Sequence, residues 1–166
     1  NAVVEALCDP VSGQPALKAG QAVLASFAAR WHGYAVAAER PDATALQTLD
    51  YFALAPVSGG FAIECAGGDD VPDWQVRARA LVPTLEGCEW VGITDRSGAV
   101  RIAAFRDDRL EFALFVDSRP VEVSRRFLSG LIGTSIPRAR RLTVLAGRAP
   151  SQEYDEGPIV CACRSV

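Results

Sequence analysis

The chain has 166 residues, 49% of them apolar and 22% charged, with a formal net charge of −3. That length suffices for one well-buried domain, hiding roughly 70% of its unfolded surface. The acidic balance, with a sequence pI of about 5.2, supplies no overall basic field for nucleic acid. No apolar run approaches the roughly 18–20 residues that span a bilayer, and no signal peptide is discernible.

Five cysteines are an odd number, and Cys8, Cys65 and Cys88 are scattered. This is not a disulfide framework, and it suits a reducing, cytoplasmic setting. Methionine is absent, so the chain is expected to be a piece of a longer polypeptide. Asn1 and Ala2 are either native or left by a vector.

In chain order, residues 8–21 carry two prolines and two glycines and predict an irregular arm, followed by a short strand over Ala22 to Phe27. An apolar strand is expected from Tyr34 to Ala38, closed by Pro41. Residues 42–50 then read as a polar connector or single turn. Tyr51 to Val57 and Phe61 to Gly67 are apolar runs divided by Ser58-Gly59-Gly60, a hairpin pattern. Asp70 or Asp73 can cap a helix in which Trp74, Val76, Ala80 and Leu81 recur at helical spacing. Three further runs, Glu89 to Asp95, Ala99 to Arg106 and Arg109 to Asp117, predict a meander. In the last, the alternation of Leu110, Phe112, Leu114 and Val116 predicts a strand with one buried face.

The chain then turns helical. Val123, Phe127, Leu128 and Leu131 form one stripe, with Gly133 as terminator. A second helix is expected to start near Ser135 as N-cap, with Pro137 in its first turn, and to end at Gly147. Residues 148–158 read as a linker. Strands followed by helices predict an α+β fold, with an antiparallel sheet covered by helices on one face.

The closing stretch places Cys161 and Cys163 one residue apart, just past the Gly157-Pro158 step. Two thiolates so spaced can converge on an iron–sulfur cluster if the backbone bends, and a cluster generally takes four. They can equally be two small buried thiols at a strand end. A disulfide between them is strained. His32, the only histidine, is either an active-site group or a structural one. Cys65 and Cys88 read as core residues, and Trp74 and Trp90 as core anchors. Arg138, Arg140, Arg141 and Arg148 form a basic cluster, either a docking face for an acidic electron donor or a solvated helix face near Glu153, Asp155 and Glu156. Neither Gly59-Gly60 nor Gly67-Gly68 provides a dinucleotide fingerprint.

Leu145-Ala146-Gly147-Arg148, the polar linker, and then Gly157, Pro158, Val160, Cys161, Ala162, Cys163 and Val166 resemble a segment of the catalytic subunits of bacterial assimilatory nitrate reductases. There the linker enters a [2Fe-2S] domain of the bacterioferritin-associated-ferredoxin type. The resemblance implies that Cys161 and Cys163 are two of four cluster ligands, the other pair lying further along. Asp9, Pro10, Ser12, Gln14, Pro15 and Lys18 resemble the segment closing the molybdopterin-dinucleotide-binding domain of the same enzymes. This implies that Lys18, and Asn1 if native, approach a bis-molybdopterin guanine dinucleotide in the parent protein. Residues 89–117 resemble the carboxy-terminal domain of flavin-dependent pyridine-nucleotide oxidoreductases and nitrite reductases.

Three regions are therefore expected. Residues 1–40 would be a remnant of the pterin-binding domain, 41–148 an α+β middle domain, and 149–166 a linker with the first half of a [2Fe-2S] motif. The resemblance implies a non-catalytic fragment of a nitrate-reducing molybdenum enzyme, binding neither cofactor alone. Its partners would be the rest of the same polypeptide and a reductase or a ferredoxin- or flavodoxin-type electron donor. The alternatives are a docking module for a redox partner, or a fragment of an NAD(P)H nitrite reductase, which would lack the Asp9-to-Lys18 segment.

Overall fold

A computed structural model describes residues 2–8, 15–21 and 28–149. Strands β1 (Ala2–Cys8) and β2 (Pro15–Gln21) pair antiparallel. The body is a six-stranded, wholly antiparallel sheet of β3 (Trp31–Ala37), β4 (Tyr51–Val57), β5 (Gly60–Gly67), β6 (Glu89–Thr94), β7 (Val100–Arg106) and β8 (Arg109–Asp117). The strand order is β4-β5-β3-β8-β7-β6. Four short helices accompany it: α1 (Ala43–Gln47), α2 (Trp74–Leu81), α3 (Arg125–Leu131) and α4 (Arg141–Ala146). The α+β class is as expected. Among the described residues, no helix is long and apolar enough to cross a membrane.

Local chemistry explains each boundary. Asp73 caps α2 by accepting from the Gln75 and Val76 N–H groups. Ser124 Oγ does the same for α3 through the Phe127 N–H. Gly133, at φ +75°, ends α3 as the pattern predicts. The polar connector over 42–50 is more ordered than a single turn: Asp42 accepts from the Ala45 N–H and starts α1. Pro137 does not enter the fourth helix. It precedes a 3-10 turn, Arg138–Arg140, that feeds α4.

The sheet is covered on both faces, not one. On the first face Ala35, Ile63, Ile102, Phe112 and Leu114 pack beneath Leu46 of α1, Ala78 and Leu81 of α2, and Leu85. On the second, Val36, Phe105, Leu110, Ala113 and Phe115 pack beneath Phe127 and Leu128 of α3 and Val144 and Leu145 of α4. The strict alternation expected in β8 fails for a related reason. A register shift opposite Ala104/Phe105 lets two residues of β8 oppose one, so Leu110 joins the second face while Phe112, Leu114 and Val116 stay on the first. The extra residue, Glu111, is 8% exposed; its carboxylate lies 3.4 Å from Arg109 Nε and its carbonyl accepts from the Ala38 N–H. In α2 the stripe is also displaced: Ala78 and Leu81 are buried and Val76 is 64% exposed.

Two expected features of the amino-terminal region change. Pro15–Gln21 is a strand of a hairpin, not irregular chain. A domain boundary at 40/41 does not hold either, because β3 lies at the centre of the sheet between β5 and β8. The body therefore begins by Trp31. The strand expected over Ala22 to Phe27 and the carboxy-terminal linker beyond Ala149 lie outside the described residues.

Gly147, at φ +68°, closes α4, and its carbonyl accepts from the Ser124 N–H at 2.8 Å, tying the two helices of the second face together. A Cβ there would sit 2.6 Å from Val123 Cγ1 and 3.1 Å from Phe115 Cε1. Gly147→Ala is therefore expected to destabilise the body by roughly 1–3 kcal/mol, read as a lower denaturant midpoint at unchanged slope.

Candidate functional site

The predicted site residues are not gathered in the described body. Asn1, Cys161 and Cys163 lie outside the described residues. Lys18 lies on β2, in register with Glu5 of β1.

Cys65 and Cys88, the two cysteines of the described body, are packing residues. Cys65 is 6% exposed on the first face, under Trp31, and Cys88 is half-buried against the same core. Burial, aided by the neighbouring Glu64 carboxylate, pushes the Cys65 thiol up to about 12. A thiol so placed holds its proton near neutral pH. Among the described residues, no group of three or more His, Cys, Asp or Glu side chains could hold a metal ion.

His32 lies half-buried on β3, directly across from Asp117 of β8. Strand pairing thus gives it the acidic neighbour that the local sequence lacks. No hydrogen bond joins the two among the described residues. Trp74 meets Trp31 edge-on at 4.9 Å, and Trp31 Nε1 donates to Asp69 at 2.9 Å. Trp90 packs against Phe112, with Arg79 4.6 Å over its ring. Both tryptophans are half-buried anchors of the first core.

The basic cluster read from the sequence is divided. Arg141 is 6% exposed, stacks 4.4 Å over Phe105, lies 2.8 Å from Glu89 Oε2 and donates to the Asp107 carbonyl. Arg138 also pairs with Glu89, at 2.9 Å. The Arg141 and Arg138 guanidiniums together hold the Glu89 carboxyl below its ordinary range. Arg141 is committed to the interior, whereas Arg138 pairs with Glu89 at the surface.

Arg148 belongs to a different constellation. With Arg101, Arg119 and Arg125 it lines a groove of about 530 Å³ at the end of β7 and β8, beside Val121 and Val123. Asp117 and Glu122 are the two carboxylates in that lining. Arg101 Nη1 donates to the Leu145 carbonyl at 3.2 Å, and Arg125 Nε meets Glu64 at 2.6 Å while sitting 5.1 Å over the Tyr34 ring. Burial raises the Tyr34 phenol to about 12. Arg148 reaches Glu122 at 3.5 Å, and Arg119 is exposed at the rim. With Glu64 counted beside Asp117 and Glu122, four guanidiniums meet three carboxylates, a small local positive excess on an acidic chain. Guanidinium forks of this kind receive oxyanions and carboxylates. The sequence hides the groove because its arginines come from β7, the loop after β8, α3 and the end of α4, with no common spacing.

No family model, curated protein or solved structure matches the chain.

The Cys65 environment gives a direct test. In the folded state the thiol is expected to resist maleimide at pH 8 and to label only on unfolding, as followed by mass spectrometry. Because its folded pKa is raised, the associated stability is complete below the ordinary thiol range. It falls as pH rises from there towards about 12. Rapid native-state labelling of Cys65 would contradict this placement.

Proposed function

We propose that the chain is the carboxy-terminal part of a cytoplasmic, molybdenum-dependent assimilatory nitrate reductase, in which the six-stranded body positions an electron-entry region beginning at Cys161. In the whole protein, nitrate is reduced to nitrite elsewhere in the polypeptide, and the body is a scaffold without a chemical step of its own. The observation that carries the reading is the pairing of two sequence segments with one fold: the Asp9-to-Lys18 segment precedes the body, and the Cys-Ala-Cys pair follows it. The chain leaves the described body at Ala149, next to Arg148 of the cationic groove. At most about 40 Å of extended chain separates Ala149 from Cys161.

When bound, a [2Fe-2S] cluster supplies one-electron transfer. Cys161 and Cys163 would hold one side of it. In this reading the remaining thiolates come from residues beyond Val166, where the family that the chain resembles carries its second cysteine pair; Cys65 and Cys88 pack on the core. Residues 1–166 alone do not complete a cluster site. The role of the body's own residues is to present a rigid, positively charged rim to the donor. An acidic donor of the ferredoxin or flavodoxin type has the matching sign, and charge complementarity of this kind acts mainly on the rate of encounter.

A longer chain carrying the residues beyond Val166 tests the reading. Purified without oxygen, it is expected to contain iron and sulfide in equal amounts and to give the EPR signal of a reduced [2Fe-2S] cluster. Cys161→Ser or Cys163→Ser should abolish that signal and leave the unfolding of the body unchanged. An iron-free chain, or a signal that survives both substitutions, would contradict it. Arg119→Glu is expected to slow reduction by an acidic donor about ten-fold at low salt. The difference should fade near 0.15 M salt, where the screening length is about 8 Å.

A further inference from the structure

The cationic groove has an ordered floor. Across the second face of the sheet, Glu64 stands opposite Tyr34, Tyr34 opposite Phe115, and Phe115 opposite Arg101. These four residues form one row over four neighbouring strands. Arg125 covers the Tyr34 and Glu64 end of the row, and Arg101 closes the other. Adjacent strands lie about 4.8 Å apart, so Tyr34 and Arg101 stand roughly 10 Å apart at the backbone, with Phe115 between them.

The guanidiniums of this row are held in place but not used up. Arg101 gives Nη1 to the Leu145 carbonyl, and Arg125 gives Nε to Glu64. A guanidinium has five N–H donors, so most remain. The other nitrogens of both residues have no partner among the described residues, and none of them is buried without one, so they open on the groove. The Arg119 side chain, at the rim, has no partner among the described residues either. The acids are engaged elsewhere. Asp117 Oδ1 accepts from the Ser118 hydroxyl and the Arg119 N–H, and Glu122 faces solvent with Arg148 3.5 Å away. Arg125 and Arg148 thus have carboxylate partners, while the positive excess rests on Arg101 and Arg119.

We propose that this groove binds a small phosphate monoester, its phosphate held by Arg101, Arg119 and Arg125 and its compact apolar body set against Val121 and Val123. A planar carboxylate is satisfied by one guanidinium fork, whereas three terminal phosphate oxygens take donors from several directions. Here the donors come from β7, α3 and the loop after β8. The space, about 530 Å³, is far larger than a bare phosphate ion needs, and its valine wall gives an inorganic ion nothing to bury. This inference does not depend on the nature of the whole protein, since the groove is complete within the described body.

Titration of the full 166-residue chain with phenyl phosphate, followed by amide chemical shifts, tests this. Saturable shifts at Arg101 and Val123 are expected, with a dissociation constant below about 1 mM at low salt. Inorganic phosphate should bind at least about five-fold more weakly, because it leaves the apolar wall wet. Arg101→Gln and Arg119→Gln should each weaken phenyl phosphate about ten-fold or more with thermal unfolding retained. Arg138→Gln, on an arginine paired with Glu89 outside the groove, should change nothing. Four results would overturn the proposal: no saturable shift, equal weakening by Arg138→Gln, benzoate binding as tightly as phenyl phosphate, or binding only after Glu153, Asp155 and Glu156 are replaced by glutamine. The last would mean that the chain's own acidic stretch takes the groove.

Discussion

Seven consecutive residues of β8, Leu110 to Val116, are closed off from solvent on both faces of the sheet. Burial on both faces is usual for parallel sheets under crossover helices; here an antiparallel strand carries it. The rest of the body follows from that constraint. Phe112 and Leu114 require α1 and α2 above them, and Ala113 and Phe115 require α3 and α4 below. The bulge at Leu110 and Glu111 lets one strand serve both layers, and the Glu111 side chain stays compensated by Arg109 at the strand's start. Because β8 hydrogen-bonds to β3 and β7, residues at 31–37 join the sheet built mainly from residues after 50.

Much of this was legible in the sequence. The hairpin β4–β5, the meander β6–β7–β8, the start of α2 at Asp73 and the helix ends at Gly133 and Gly147 all follow from turn residues and apolar spacing that act over a few positions. What was not legible depends on distant partners. Tyr34 to Ala38 read as a strand, but nothing near it says that it sits between β5 and β8. The alternation in β8 suggested a solvated face, because the small residue Ala113 and the charged Glu111 mask a second buried side. Val76 belongs by spacing to the helix stripe, yet α2 turns it outward so that Ala78 can approach the sheet.

The site shows the same division. Cys65 as a core residue was readable from its apolar strand. The splitting of the arginine cluster was not, because Arg141 is drawn inward by Glu89, Asp108 and Phe105, residues 33 to 52 positions away. The groove that takes its place gathers Arg101, Arg119, Arg125 and Arg148 where the two long central hairpin strands end. It lies at the point where the chain departs towards Cys161. The body's own thiols, Cys65 and Cys88, both pack on the first core.

The central claim is that the body is a self-sufficient scaffold whose folding owes nothing to the cluster proposed to begin at Cys161. Native-state hydrogen exchange on the longer polypeptide, with iron bound and after its removal, tests it most directly. The account predicts that amides at Ala35, Val36, Ala113 and Leu114 keep the same slow exchange in both states. Loss of protection at those four positions when iron is removed would mean that metal binding and folding of the sheet are one process, and would contradict it.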